Sequence, residues 1–120
     1  VATNLLILPL VQLTILTGTN EDWIDGIAFY DLSMNPLSLA GIAFKMTMRH
    51  LLDDATAPVS ASTEDGDLVA SGNIFNFNVP LSTMGIVPPA DYVFDVVGIA
   101  DGHQRVIIQG AVTVFEGVTR

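Results

Sequence analysis

Apolar and polar positions alternate with period two along most of the chain. The clearest run sets Ile42, Phe44, Met46 and Met48 against Ala43, Lys45, Thr47 and Arg49, as in a strand with one face in a core. The same alternation recurs at Phe75–Phe77–Val79 against Asn76 and Asn78, and at Tyr92–Phe94–Val96 with Asp95 on the other face. It returns at Val106–Ile108 and Val112–Val114, and Val11–Leu13–Ile15 gives an early strand. Trp23 to Tyr30 reads as another strand, with Gly26 marking a bulge.

Turn residues punctuate these runs. Gly18-Thr19-Asn20 parts the first two strands, and Asp31 to Pro36 is a polar turn. Asp53 to Gly66 reads as a long loop and Pro80 to Pro89 as a second connection. Asp101-Gly102 before His103 reads as a hairpin turn. Helical spacing is confined to single turns near 50–57 and 82–86. The pattern predicts an all-β, two-sheet antiparallel β-sandwich, immunoglobulin-like, with about seven strands and crossovers at 53–66 and 80–90; a small closed barrel is the alternative. Ile42, Phe44, Met46, Phe75, Phe77, Tyr92, Phe94 and Val96 share the phase expected of one core between the sheets.

The seven strands fit after residue 10, so residues 1–10 read as an apolar arm and 11–120 as a single domain. Leu5, Leu6, Ile7, Leu8 and Leu10 are then surplus to the fold, expected to lie on a neighbouring subunit as an assembly arm. The apolar stretch Leu5 to Leu16 is broken by Pro9, Gln12 and Thr14, and is shorter than the roughly 20 residues of a spanning helix. It lacks the basic flank and small-residue cleavage site of a signal peptide and is expected to belong to the working protein.

Composition changes this picture in two ways. The chain is 50% hydrophobic and 14% charged, which excludes a disordered polymer, and its mean hydropathy of +0.53 points to apolar surface covered by other chains. Thirteen acidic residues against four basic ones give a net charge of −9. Lys45, Arg49, Arg105 and Arg120 are too few and too scattered for a phosphate-binding footprint, so no nucleic-acid or anionic-membrane partner is expected. With no cysteine, disulfides and Cys-based metal sites are out.

Candidate chemistry is thin. Glu64-Asp65-Gly66-Asp67, with Asp53 and Asp54 upstream, is the best cation candidate, but it lacks EF-hand spacing and reads as a solvated turn. Glu21, Asp22 and Asp25 read as solubilising charges. His50 and His103 stand at no metal-ligand spacing, and no Gly-x-Ser-x-Gly elbow supports a nucleophile. The expectation is a non-enzyme with no catalytic residue, no cofactor, no metal and no small-molecule substrate. The aromatic residues read as core, except Trp23, which sits among acids and is a candidate surface contact. Asn73, Asn76 and Asn78 form a polar stripe opposite Phe75 and Phe77, read as the solvent face of an edge strand or a subunit contact.

The order of these segments also carries a likeness. Asp31, Pro36-Leu37-Ser38-Leu39-Ala40-Gly41 and a strand reaching Met48-Arg49 are followed by Asp91-Tyr92-Val93-Phe94-Asp95. The Asp101-Gly102 turn, Val106-Ile107-Ile108-Gln109-Gly110, Val112-Thr113-Val114 and Val118-Thr119-Arg120 close the chain. This resembles small β-sandwich virion proteins of tailed bacteriophages and is similar to the N-terminal domain of siphophage baseplate upper proteins. Ala90-Asp91 stands where that pattern has glycine. The resemblance implies a docking or scaffold role on the outside of a virion, at the tail tip or on the capsid. Partners would be further copies of the chain and other virion proteins. A carbohydrate- or receptor-binding module built on Trp23 is the competing expectation.

Overall fold

The computed structural model describes residue 5, residues 7–50 and residues 59–118. Eight strands are present among them: β1 (Val11–Gly18), β2 (Trp23–Ala28), β3 (Ala43–Arg49), β4 (Val59–Ser62), β5 (Leu68–Ser71), β6 (Ile74–Val79), β7 (Ala90–Ala100) and β8 (His103–Phe115). A single helical turn, α1 (Leu81–Met84), precedes β7. The strands form a five-stranded sheet in the order β1-β8-β7-β3-β4 and a three-stranded sheet in the order β2-β6-β5. The protein is all-β, with two sheets facing each other across a shared core.

All eight residues expected to line that core are buried. Their rings interleave between the sheets. Trp23 of β2 stacks on Phe77 of β6 at 4.8 Å and 9°, and Phe94 of β7 meets both edge-on at 5.8 and 6.0 Å. Phe44 of β3 meets Phe75 of β6 at 5.0 Å.

Several expectations change. The sandwich is not purely antiparallel, because β1 runs parallel to β8, with Val11 opposite Ile108 and Gly18 opposite Phe115. A parallel pair needs a long crossover, and here nearly the whole domain supplies it. The close approach depends on Gly110, where a Cβ would lie 1.8 Å from the Leu13 carbonyl oxygen. Gly26 is not a bulge: β2 and β6 pair in continuous register, and the missing side chain leaves room for Asn76, whose Oδ1 lies 2.8 Å from where a Cβ would sit. The register shift falls at Val96/Val97 against β8, and it brings both Ile107 and Ile108 inward. β4 lies inside the stretch read as loop, and the crossover to the second sheet is made by the short turn after it. Asp53 and Asp54 lie outside the described residues. The hairpin turn stands as read, with Asp101 and Gly102 at φ 52° and 78° and Ala100 opposite His103.

The arm is corrected most. Leu5 and Leu8 are 1% and 2% exposed, inside the chain's own core. Leu5 fills the space over Gly98, where a Cβ would lie 2.8 Å from its Cδ1, between Ile42 and Ile107. Arg105 Nη1 donates to the Leu5 carbonyl at 3.3 Å. The segment is therefore not surplus: it covers a hole that glycine leaves in β7. Ile7 and Leu10 do point outward, and Leu6 lies outside the described residues.

Phe44→Ala and Phe94→Ala should each cost about 3–5 kcal/mol in chemical denaturation. Leu5→Ala should cost about 2–5 kcal/mol in the isolated protein. A Leu5→Ala protein with an unchanged midpoint would show that this segment does not belong to the core.

Candidate interaction surfaces

Trp23 and Asn73, two of the residues singled out by pattern, serve the fold. Trp23 is 1% exposed, so it is not a surface contact. Period two puts it on the inner face of β2, and its indole N–H donates to Asp25 Oδ2 at 2.8 Å. The Asn stripe does not lie on an edge strand, because β6 is the middle strand of its sheet. Asn73 Nδ2 donates to the Phe29 carbonyl at 3.0 Å and fixes the turn before β6. Asn76 and Asn78 do face outward, opposite Gly26 and Ile24 of β2.

The titratable groups are spread out and serve local turns. Asp65 Oδ1 accepts from the backbone N–H groups of Ser62 and Asp67, and Ser62 Oγ accepts from that of Asp65. The acidic loop thus closes on itself. Burial, helped by the Asp65 charge, holds Asp67 above its ordinary value. Glu21 Oε1 accepts from Gly18 N–H and from Thr17 Oγ1 at the end of β1. His50 Nδ1 lies 3.0 Å from the Asp91 carbonyl oxygen, and His103 is exposed in the β7–β8 turn region. Among the described residues no three His, Cys, Asp or Glu side chains converge on a metal position.

What the fold builds instead is apolar surface at its two ends. At one end the β2–β3 connection is braced by its first acid. Asp31 Oδ1 accepts from Ser33 N–H and Asn35 N–H at 2.8 and 2.9 Å. Asp31 N–H donates to the Asn35 carbonyl, Met34 N–H donates to the Asp31 carbonyl, and Tyr30 bridges Pro36. Met34 takes φ 64°, a left-handed conformation uncommon outside glycine and asparagine. The braced loop holds Leu32 fully in solvent and Met34 71% exposed. Ile7, Pro9, Tyr30, Leu32 and Leu37 line one open depression of about 410 Å³ beside it. At the opposite end a depression of about 610 Å³ runs between the β1–β2 turn and the α1–β7 connection. Ile86, Pro88 and Pro89 lie along it, and Ile86 is 81% exposed. The residue types of 31–36 identify only a polar turn. The signal it contained was an apolar residue on each side of Ser33 within a run of turn formers.

Asp31 is held below its ordinary 3.8 chiefly by the Asn35 backbone N–H, which outweighs its desolvation. A depressed carboxyl stabilises the folded loop above its ordinary value and loses that contribution as pH falls through the lowered one. In an NMR titration, the Asp31 carboxyl and the Ser33 and Asn35 amides should therefore titrate together below pH 3.8. Asp31→Ala should free the loop amides to exchange rapidly at neutral pH without moving the global melting temperature by more than a few degrees. Unchanged loop amide protection in that variant would show that the carboxylate is not the brace.

No protein-family model matches the chain, and no curated protein matches it. Among solved structures, the chain is similar to an endo-beta-1,4-mannanase from Thermotoga petrophila, with 9% identity and a TM-score of 0.47. The likeness covers 84% of this chain and 18% of the mannanase, so the chain spans a small part of that enzyme's length. A likeness of that degree carries no argument about what this chain does.

Proposed function

We propose that the chain is an immunoglobulin-like sandwich that works without catalysis, as a structural protein docking other proteins on the outer surface of a tailed-phage virion. The strand order supports the fold part of this reading. β8-β7-β3-β4 on one sheet and β2-β6-β5 on the other follow the arrangement of a variable-type domain, with β1 added beside β8. Near the start of β7 the Tyr92 hydroxyl donates to the Pro88 carbonyl, the geometry of a tyrosine corner. Burial holds that hydroxyl protonated to higher pH than usual.

One observation carries the docking role: a loop stiffened by its own carboxylate holds Leu32 and Met34 out in water. Apolar side chains on a preorganised loop lose little entropy when covered, and a partner with an apolar concavity covers them. A tail-tip or baseplate adaptor is the first reading, since it follows the family resemblance. Capsid decoration is the second, favoured by the depression at the opposite end, which gives each subunit a contact surface at both poles. The carbohydrate reading loses its aromatic platform with Trp23 inside the core.

Mass spectrometry of purified virions should find the chain in the particle. Particles lacking it should keep intact heads but fail to adsorb if it is an adaptor, and should leak DNA if it is a decoration protein. Leu32→Asp should reduce incorporation at least tenfold while leaving the isolated domain folded. Absence of the protein from virions would overturn both readings.

A further inference from the structure

Among the described residues the two sheets have four edge strands, and three of them are blunted. β4 and β5 are four residues long. β2 carries Asp25 on its inner face, a charge that disfavours pairing with another strand. β1 has neither device. It runs eight residues, Val-Gln-Leu-Thr-Ile-Leu-Thr-Gly, with no charge and no proline, in a chain of net charge −9.

The main-chain groups at that edge can be assigned. In a parallel pair, alternate residues turn both N–H and C=O toward the same neighbour. Thr19 N–H donates to the Phe115 carbonyl, and Leu13 lies against Gly110, so the odd residues face β8. The even residues face away from it. Gly18 N–H, the last of these, is taken by Glu21 Oε1 at 2.8 Å. Gln12, Thr14 and Leu16 therefore present their N–H and C=O groups outward, and all three side chains are exposed, Leu16 at 70%.

We propose that this edge pairs with β1 of a second copy, antiparallel about a twofold axis at Thr14, joining two five-stranded sheets into one. In that register Thr14 faces Thr14 as a hydrogen-bonded pair, and Gln12 faces Leu16 on each side. The occupant is a second copy because the strand is self-complementary in this register. Two molecules of the same strong negative charge approach with least repulsion where neither carries acid, and β1 carries none. Glu21 occupies the Gly18 N–H and stops the pairing there, which leaves Thr14 as the centre. The inference rests on the reading of the chain as a docking protein and supplies its self-association. It is independent of the Leu32 loop.

The chain has no cysteine, so single introduced cysteines report the register. Paired Thr14 residues would have Cα atoms about 5.5 Å apart, within disulfide range. Paired Gln12 residues would be offset by four positions, roughly 13 Å along the strand. Under mild oxidation Thr14→Cys should form a covalent dimer at least tenfold faster than Gln12→Cys. In sedimentation, the unmodified protein should dimerise at high concentration, more so as salt rises. Thr14→Pro removes an N–H that β8 does not use, and it should be monomeric with an unchanged strand signature in circular dichroism. Equal cross-linking at both positions, none at either, or a protein that stays monomeric up to millimolar concentration would overturn the proposal. Loss of virion incorporation in Leu32→Asp with cross-linking intact would leave it standing, and the reverse would remove it while the docking role stands.

Discussion

The packing of Phe94 against Trp23 and Phe77 is the contact on which the rest of this structure depends. Phe94 comes from the middle strand of the five-stranded sheet, and the other two rings come from adjacent strands of the three-stranded sheet. Edge-on and stacked ring pairs add about 0.5–1.5 kcal/mol each beyond the area they bury. Because each ring sits at a fixed register position, the contact also fixes how the two sheets are placed on one another. A slip of one residue in β2 would turn Trp23 to solvent and bring Ile24 inward.

With that layer in place, the first and last strands come together. β8 lies next to β7, and its far side needs a partner. Gly110 allows the backbone of β1 to come close enough to provide one, in parallel. Leu5 then reaches Gly98 on the inner face of β7. The same stretch of sequence thus seals the core with Leu5 and Leu8, turns Ile7 outward, and creates a new edge at β1. Closure at one place moves the exposed edge to another.

Most of the core was legible in the sequence because period two and aromatic content coincide at Phe44, Phe75, Phe77 and Phe94. The Asp101-Gly102 turn was legible because its residue types suit two positive φ angles. β4 and β5 were not, since Val-Ser-Ala-Ser and Leu-Val-Ala-Ser are too short and too small in their side chains to show a period. The acidic neighbours of Trp23 suggest solvent, yet one of them, Asp25, caps the buried indole. The arm hides its role for a different reason. Its cavity is made by Gly98 and Ile107, about a hundred positions away, and no local pattern announces a hole of that kind. The Leu32 loop was hidden by its own turn chemistry, which identifies the bend but not what the bend displays.

The distribution of charge sets these surfaces apart from the rest of the molecule. Nearly all the described acids lie on turns or at strand ends, where water screens them and where several tie up backbone N–H groups. Such a coat keeps copies apart wherever it is continuous. It is interrupted at β1 along one side and by apolar side chains at the two poles. A side edge with regular main-chain groups suits another extended strand, and the uncharged sequence of β1 suits a second copy of itself. A protruding apolar loop and a concave rim suit unlike partners, because shape there has no internal symmetry to match. In the proposed role the fold associates with itself through the β1 backbone and with other proteins through apolar side chains at the poles, two surfaces that share no residue.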